Sequence, residues 1–132
     1  MKTGSETNGR IVNPVLDTNI LIDYLRGIEE AREEIARYSG CAISLITWME
    51  VMVGATDENE ETLLRDFLSR FTRVTISTDI AETAVMLRRQ HRIRIPDALI
   101  WASAQVSNTL LVTRNTRDFP ADDPGIRVPY TT

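Results

Sequence analysis

The stretch Val15–Leu16–Asp17–Thr18–Asn19 decides how this chain is read. Two apolar residues end on an acid, and a helix-like pattern begins at once. Such a junction describes a buried strand that delivers a carboxylate at its C-terminal end, the edge where open α/β sheets bind their ligands. The strand is expected over residues 11–16, with Pro14 in its early part because proline donates nothing to a central ladder. A helix is expected over residues 18–26, with Leu21 and Leu25 on one face and Gly27 as its stop.

Beyond this junction, helical and extended patterns alternate. Ile28, Ala31, Ile35 and Tyr38 recur at helical spacing up to Gly40, which makes a helical hairpin with the first helix. A short apolar strand is expected over 41–45 and a third helix over 47–54, in which Glu50 is the only charge. Asp57 or Asn59 caps a fourth helix whose apolar face is Leu63, Leu64, Phe67, Leu68 and Phe71. A strand follows at 73–76. Asp79 and Glu82 have capping-box spacing and open a helix reaching His91. Pro96 suits the first position of a helix running to Ser107, and 110–113 is a buried strand. An edge strand around 126–128 closes the pattern. Strands alternating with helices predict a mainly parallel sheet covered on both faces, a three-layer α/β/α sandwich.

Composition bounds the function. A chain of 132 residues with 42% hydrophobic content suits one domain, expected over 11–132 after a loose polar arm at 1–10 that has no signal-peptide core. No apolar run approaches the roughly 20 residues needed to span a membrane. Cys41 is the only cysteine, so an internal disulfide is excluded and a reducing cytoplasm is expected. The one histidine, His91, lies among arginines, which argues against a Cys/His nucleophile. The net charge of -4 argues against bulk attraction to nucleic acid, but its distribution is uneven. Residues 29–34 and 57–66 are acidic, whereas Arg88, Arg89, Arg92 and Arg94 form a basic edge, with Arg114, Arg117 and Arg127 beyond it. That edge is either a solvated helix end or a phosphate-facing surface.

Taken singly, each acid has a plain structural reading. Asp17 can cap the helix at Thr18, and Asp97 can favour the positive end of its helix. Glu50 lies three residues after Thr47, the capping-box spacing, and Asp118 ends a turn-like Asn115–Thr116–Arg117–Asp118. Together they are harder to dismiss. Asp17 and Asp118 follow apolar strands, and in a parallel sheet those strand ends share one rim with the helix N-termini that carry Glu50 and Asp97. Two carboxylates about 5 Å apart at an effective dielectric near 20 repel by roughly 3 kcal/mol. Such a group either holds protons or recruits a cation. All-oxygen ligation suits Mg²⁺ or Mn²⁺, and the lack of a Cys/His cluster disfavours zinc. An ion of that kind makes hydroxide from water and neutralises charge on a phosphodiester, with no nucleophilic side chain.

Four segments carry a resemblance covering nearly the whole chain: Leu16–Asp17–Thr18–Asn19–Ile20–Leu21–Ile22–Asp23–Tyr24–Leu25; Ser44, Thr47, Glu50, Gly54 and Ala55; Ile95–Pro96–Asp97–Ala98–Leu99–Ile100 with Ala102; and Leu111–Val112–Thr113–Arg114–Asn115–Thr116–Arg117–Asp118–Phe119. In this order and spacing they resemble the PIN-domain nucleases, and more narrowly the VapC-like toxins of bacterial toxin–antitoxin modules. The resemblance implies a PIN-like fold, Mg²⁺- or Mn²⁺-dependent endoribonuclease activity, a homodimer and a cognate VapB-like antitoxin that is a small DNA-binding protein. It implies that Asp17 and Asp97 ligate metal, that Glu50 ligates metal or orients the attacking water, and that Thr18 and Asn19 shape the site. Thr113 and Asn115 join that shaping group. The fourth acidic position falls either on Asn115, which offers a carbonyl oxygen without charge, or on Asp118. Arg88, Arg92, Arg94, Arg114 and Arg117 are the candidates for the RNA backbone. Trp48, Met49 and Met52 are either core residues or the lining of a partner groove.

Rival functions are weighed by the same residues. Receiver modules, haloacid-type phosphatases and P-loop proteins use a lysine at the phosphoryl site, and Lys2 is the sole lysine here. A DNA nuclease of related fold needs clamp elements that this length does not hold. A catalytically inactive PIN-fold module for binding RNA or protein is the alternative, and the presence of Asp17, Glu50 and Asp97 weighs against it.

Overall fold

Val15 pairs with Ala42 on one side and with Leu111 on the other, so the first strand lies in the middle of the sheet. The computed structural model describes residues 13–131. Its strands are β1 (Val15–Leu16), β2 (Ala42–Ser44), β3 (Thr72–Val74), β4 (Leu111–Val112) and β5 (Ile126–Arg127). They run parallel in the order β3-β2-β1-β4-β5. The helices are α1 (Thr18–Leu25), α2 (Glu29–Ala36), α3 (Leu45–Met52), α4 (Glu58–Leu68), α5 (Thr78–His91) and α6 (Ile95–Val106). After β1 the chain builds one half of the sheet through β2 and β3, then returns to build the other from β4. The strand order therefore reverses between β1 and β4, and the crevice at their C-terminal ends is where such sheets bind ligands.

The two-residue period of a strand sorts the core into two layers. Val15, Ala42, Leu111 and Ile126 point to one face and pack with Ile80, Ala84 and Leu87 of α5 and with Ala98, Trp101 and Ala102 of α6. Leu16, Ile43 and Val112 point to the other and pack with Ile20 and Leu21 of α1, Val51 of α3 and Phe67 and Leu68 of α4. Each fully buried Val, Leu, Ile or Phe among them contributes roughly 1.5–3 kcal/mol. Aromatic contacts tie the elements further: Tyr24 stacks on Phe67 at 5.2 Å, and Trp101 meets Phe119 edge-on at 5.8 Å. Helix α3 belongs to both layers, since Ile46 joins the first and Val51 the second. It thus lies across the end of the sheet rather than along a face.

The three-layer α/β/α sandwich is the expected one, and several boundaries move. The arm at 1–10 and the first two residues of the expected strand, 11 and 12, fall outside the described residues. Helix α3 starts at Leu45, two residues early, because the buried Ser44 caps it by accepting from the Ile46 N–H at 3.0 Å. Glu50 therefore sits in the second turn, not the first, and Thr47–Glu50 is not a capping box. Helix α5 is capped by Ser77, which accepts from the Ile80 N–H at 3.2 Å, so Asp79 only enriches its first turn. Asp57 does cap α4, holding the Glu60 N–H at 2.7 Å. Leu25 and Leu63 were placed on apolar faces but stand 42% and 63% exposed, because each lies on the margin of a short helix whose buried stripe is full without it. Gly27 takes φ of 83°, a left-handed turn that ends α1 as expected.

Candidate active site

Asp17 caps α1 and is 4% exposed. Its Oδ1 accepts from the Thr18 N–H at 2.7 Å. Its Oδ2 accepts from the Thr113 hydroxyl at 2.7 Å and from the Asn19 amide at 3.1 Å. Thr113 can reach it because Leu16 and Val112 are paired across the sheet, which sets the two following residues side by side at the strand-order reversal. Asp17 therefore caps α1 while lying at the strand-order reversal. Thr113 is fully buried, and its oxygen also accepts from the Asn115 N–H at 3.0 Å. Asn19 turns its carbonyl oxygen to the Arg114 N–H at 3.4 Å.

Helix α3, crossing the end of the sheet, brings Glu50 over this crevice. The Thr18 hydroxyl donates to Glu50 Oε1 at 2.6 Å and lies 3.0 Å from the hydroxyl oxygen of Thr47, which is buried one turn below. Helix α6 starts on the same rim with Pro96 in its first turn, and Asp97 comes forward beside it. Asp17, Glu50 and Asp97 then line one open basin of about 470 Å³ together with Thr18, Asn19, Ile22, Val53, Arg114 and Asn115.

The fourth acidic position resolves into two residues with different places. Asn115 lines the basin, whereas Asp118 is not on its wall. The two are clasped: Asn115 Nδ2 donates to Asp118 Oδ2 at 3.0 Å, and the Asp118 N–H donates to Asn115 Oδ1 at 3.2 Å. Asp118 still acts through its charge on Asp97.

Burial pushes the Asp17 carboxyl up to about 6; the bonds from Thr113 and Thr18 hold it back, and the nearby charges of Asp97 and Glu50 add to the rise. Burial also raises Asp97, followed by the charges of Asp118 and Glu50, with Arg94 pulling the other way. These carboxylates thus face one another with little cationic relief. The donor set is all oxygen and suits a hard divalent ion. Among the described residues, no three Asp, Glu, His or Cys side chains close into a ready-made metal cage. The carboxylates stand around an open basin instead, which fits an ion that keeps several of its waters, as Mg²⁺ does.

The arginines divide. Arg114 lines the basin, with its guanidinium paired to Asp23. Arg88 spends Nη1 on the Ile93 carbonyl at 2.7 Å, closing the turn between α5 and α6, and Arg92 holds the left-handed cap of α5 at φ 59°. Arg88, Arg89, Arg92, Arg94 and Arg117 are exposed and lie outside the basin wall. Cys41 is buried, and its thiol is pushed up to about 12 by that burial and then by Glu34, so it is inert as a nucleophile. His91 packs on Trp101 at 4.8 Å between ring centres and takes no part in the basin.

Sequence reasoning missed Thr47, Asp23 and Tyr130. The signal for Asp23 was present: it is a lone acid in an apolar helix, one turn after Asn19.

A PIN-domain family model matches residues 15–121, and the chain belongs to that family. Within the family it is similar to ribonuclease VapC19 of Mycobacterium tuberculosis, at 33% identity over 125 residues, 88% of this chain and 98% of the relative. A solved toxin–antitoxin complex from Klebsiella pneumoniae contains a chain with 47% identity and a TM-score of 0.85, over 91% of this chain and 100% of that one. A DNA-bound VapBC structure from Salmonella typhimurium matches at 27% identity and a TM-score of 0.73, over 89% and 96%.

Proposed function

We propose that this chain is a Mg²⁺- or Mn²⁺-dependent endoribonuclease and the toxin member of a toxin–antitoxin pair. The observation that carries this is the convergence of Asp17, Glu50 and Asp97, from three separate elements, on one open basin whose wall, among the described residues, carries a single cation, the already paired Arg114. The ribonuclease relatives and toxin–antitoxin neighbours support the same reading.

Asp17 and Asp97 would hold the ion, with Glu50 either joining them or orienting the attacking water. When bound, the ion supplies a nucleophilic water at neutral pH and charge neutralisation at the phosphodiester. The protein's own part is positioning. Thr113 and Asn19 hold one oxygen of Asp17, and the Thr18 N–H holds the other. Thr18 holds one oxygen of Glu50 and leaves the second for a water or a ligand. Asn115 offers its amide at the basin wall, and Asp118 sets that amide's orientation.

An antitoxin of VapB type is the proposed partner. Val53, 83% exposed at the C-cap of α3 and on the basin wall, and Met49, 47% exposed one turn earlier, supply apolar surface for it. A homodimer in the cytoplasm completes the proposal, and among the described residues no helix is long and apolar enough to cross a membrane. The test is cleavage of a panel of structured RNAs with Mg²⁺ or Mn²⁺, with EDTA, and with Asp17→Asn. Cleavage is expected only in the first condition. Equal cleavage in EDTA would overturn the metal-dependent reading.

A further inference from the structure

Among the described residues, Arg114 is the one cationic side chain on the wall of an otherwise acidic basin. Its guanidinium is held as a fork: Nε donates to Asp23 Oδ2, and Nη2 donates to Asp23 Oδ1 at 3.0 Å. Asp23 is 3% exposed and takes a further bond from the Tyr130 hydroxyl at 2.9 Å. The base of the fork is also fixed, since the Arg114 N–H donates to Asn19 Oδ1. Among the described residues Nη1 has no hydrogen-bond partner, and it is not one of the buried atoms left unpaired. It therefore reaches solvent, with its two N–H groups unspent.

We infer that Arg114 is the phosphate-binding residue of this basin, and that Asp23 and Tyr130 are positioning residues that hold its fork. This rests on the nuclease reading above. The Arg114 side chain is 27% exposed and lines the basin, whereas Asp23 is not on the basin wall. The pair is thus oriented, with the anion behind and the cation in front. A phosphodiester entering a basin of carboxylates is repelled, and a fixed donor on the wall offsets this without ordering a long side chain at the moment of binding. Arg88 does not fill that role, because its Nη1 is already spent on the Ile93 carbonyl and it lies off the basin wall.

The test uses the full chain and a short single-stranded oligoribonucleotide. Affinity is measured without metal in an Asp17→Asn background over a series of salt concentrations, and steady-state cleavage is measured with Mn²⁺ in the otherwise native chain. Arg114→Gln is expected to weaken binding roughly five- to tenfold and to lower the log–log salt slope by about 0.7, the share of one phosphate contact on a single strand. It should raise KM correspondingly. Asp23→Asn leaves the Arg114 cation in place but loosens its fork, so the salt slope should hold while kcat falls severalfold. Because Arg114→Gln alone strands a buried carboxylate, the Asp23→Asn/Arg114→Gln double variant is measured beside it and should show the same loss of slope. Unchanged affinity, slope and KM in both, with only the melting temperature lowered, would reduce Arg114 to a strut. Should the native chain neither bind nor cleave RNA, the nuclease reading falls and takes this inference with it. Should the native chain cleave and the variants match it, this inference alone falls.

Discussion

Asp17 carries two jobs that conflict at the level of one carboxyl group. As a helix cap it gains from being charged, and as a buried group beside other acids it loses. Burial wins, and the folded carboxyl sits at about 6 against an ordinary 3.8. The native state therefore holds this proton more tightly than the unfolded chain does. The contribution is fully present below the unfolded value and is lost as pH rises through the folded one. In EDTA, the native chain is expected to lose stability relative to Asp17→Asn between about pH 4 and about pH 7, by on the order of 3 kcal/mol. Thermal unfolding of the two proteins side by side measures this directly, and parallel curves would contradict it. The residue type and its junction were readable from Val15–Leu16–Asp17–Thr18. Its enclosure by Thr113 was not, because that partner is 96 residues away.

Among the elements, α2 shows how a pattern misleads. Residues 29–34 form an acidic run, yet Glu34 within it is 4% exposed. Arg127 of β5 grips it with Nε at 2.7 Å and Nη2 at 2.9 Å, and the Tyr38 hydroxyl donates to it as well. Burial pushes the Glu34 carboxyl up, but Arg127 and Tyr38 together bring it below its ordinary value. Asp23 is likewise lowered, first by Arg114, against the pull of burial, and further by Tyr130. Groups of this sign stabilise above their unfolded values and lose that contribution as pH falls through the folded ones. Glu34→Gln is expected to cost about 2 kcal/mol at neutral pH, because it leaves Arg127 without its anion, and to flatten the acid side of the stability curve. Urea unfolding at neutral and acid pH checks both parts, and an unchanged midpoint at neutral pH would mean that the pair does not hold β5 to α2. Periodicity found the helix. It did not find the one acid on the inner side, because a charged residue in a charged run carries no local mark of burial.

For the molecule as a whole, the rim formed at the β1/β4 reversal concentrates negative charge in one place, and an ion that binds there binds only the folded state. Mn²⁺ at about ten times its dissociation constant should stabilise the chain by about 1.4 kcal/mol. EDTA should reverse the effect, and Asp17→Asn should lack it. A melting-temperature shift of equal size in Asp17→Asn would put the ion elsewhere. The charge that an ion relieves adds to the burial that raises Asp17 and Asp97, so stability and activity are expected to respond together to the metal.

Alternating apolar runs and helical stripes determined the parallel sandwich, the ends of apolar strands nominated Asp17 and Asp118, and helix starts nominated Glu50 and Asp97. These are local properties, set by side-chain period and by the chemistry of strand ends, and they survive without any long-range contact. Only the tertiary structure decided that α3 crosses the end of the sheet, that Asn115 rather than Asp118 lines the basin, and that Arg114 is bound to Asp23, which also accepts from the Tyr130 hydroxyl. Each of those depends on packing between segments far apart in the chain, where the energy comes from burial and pairing that no single segment contains.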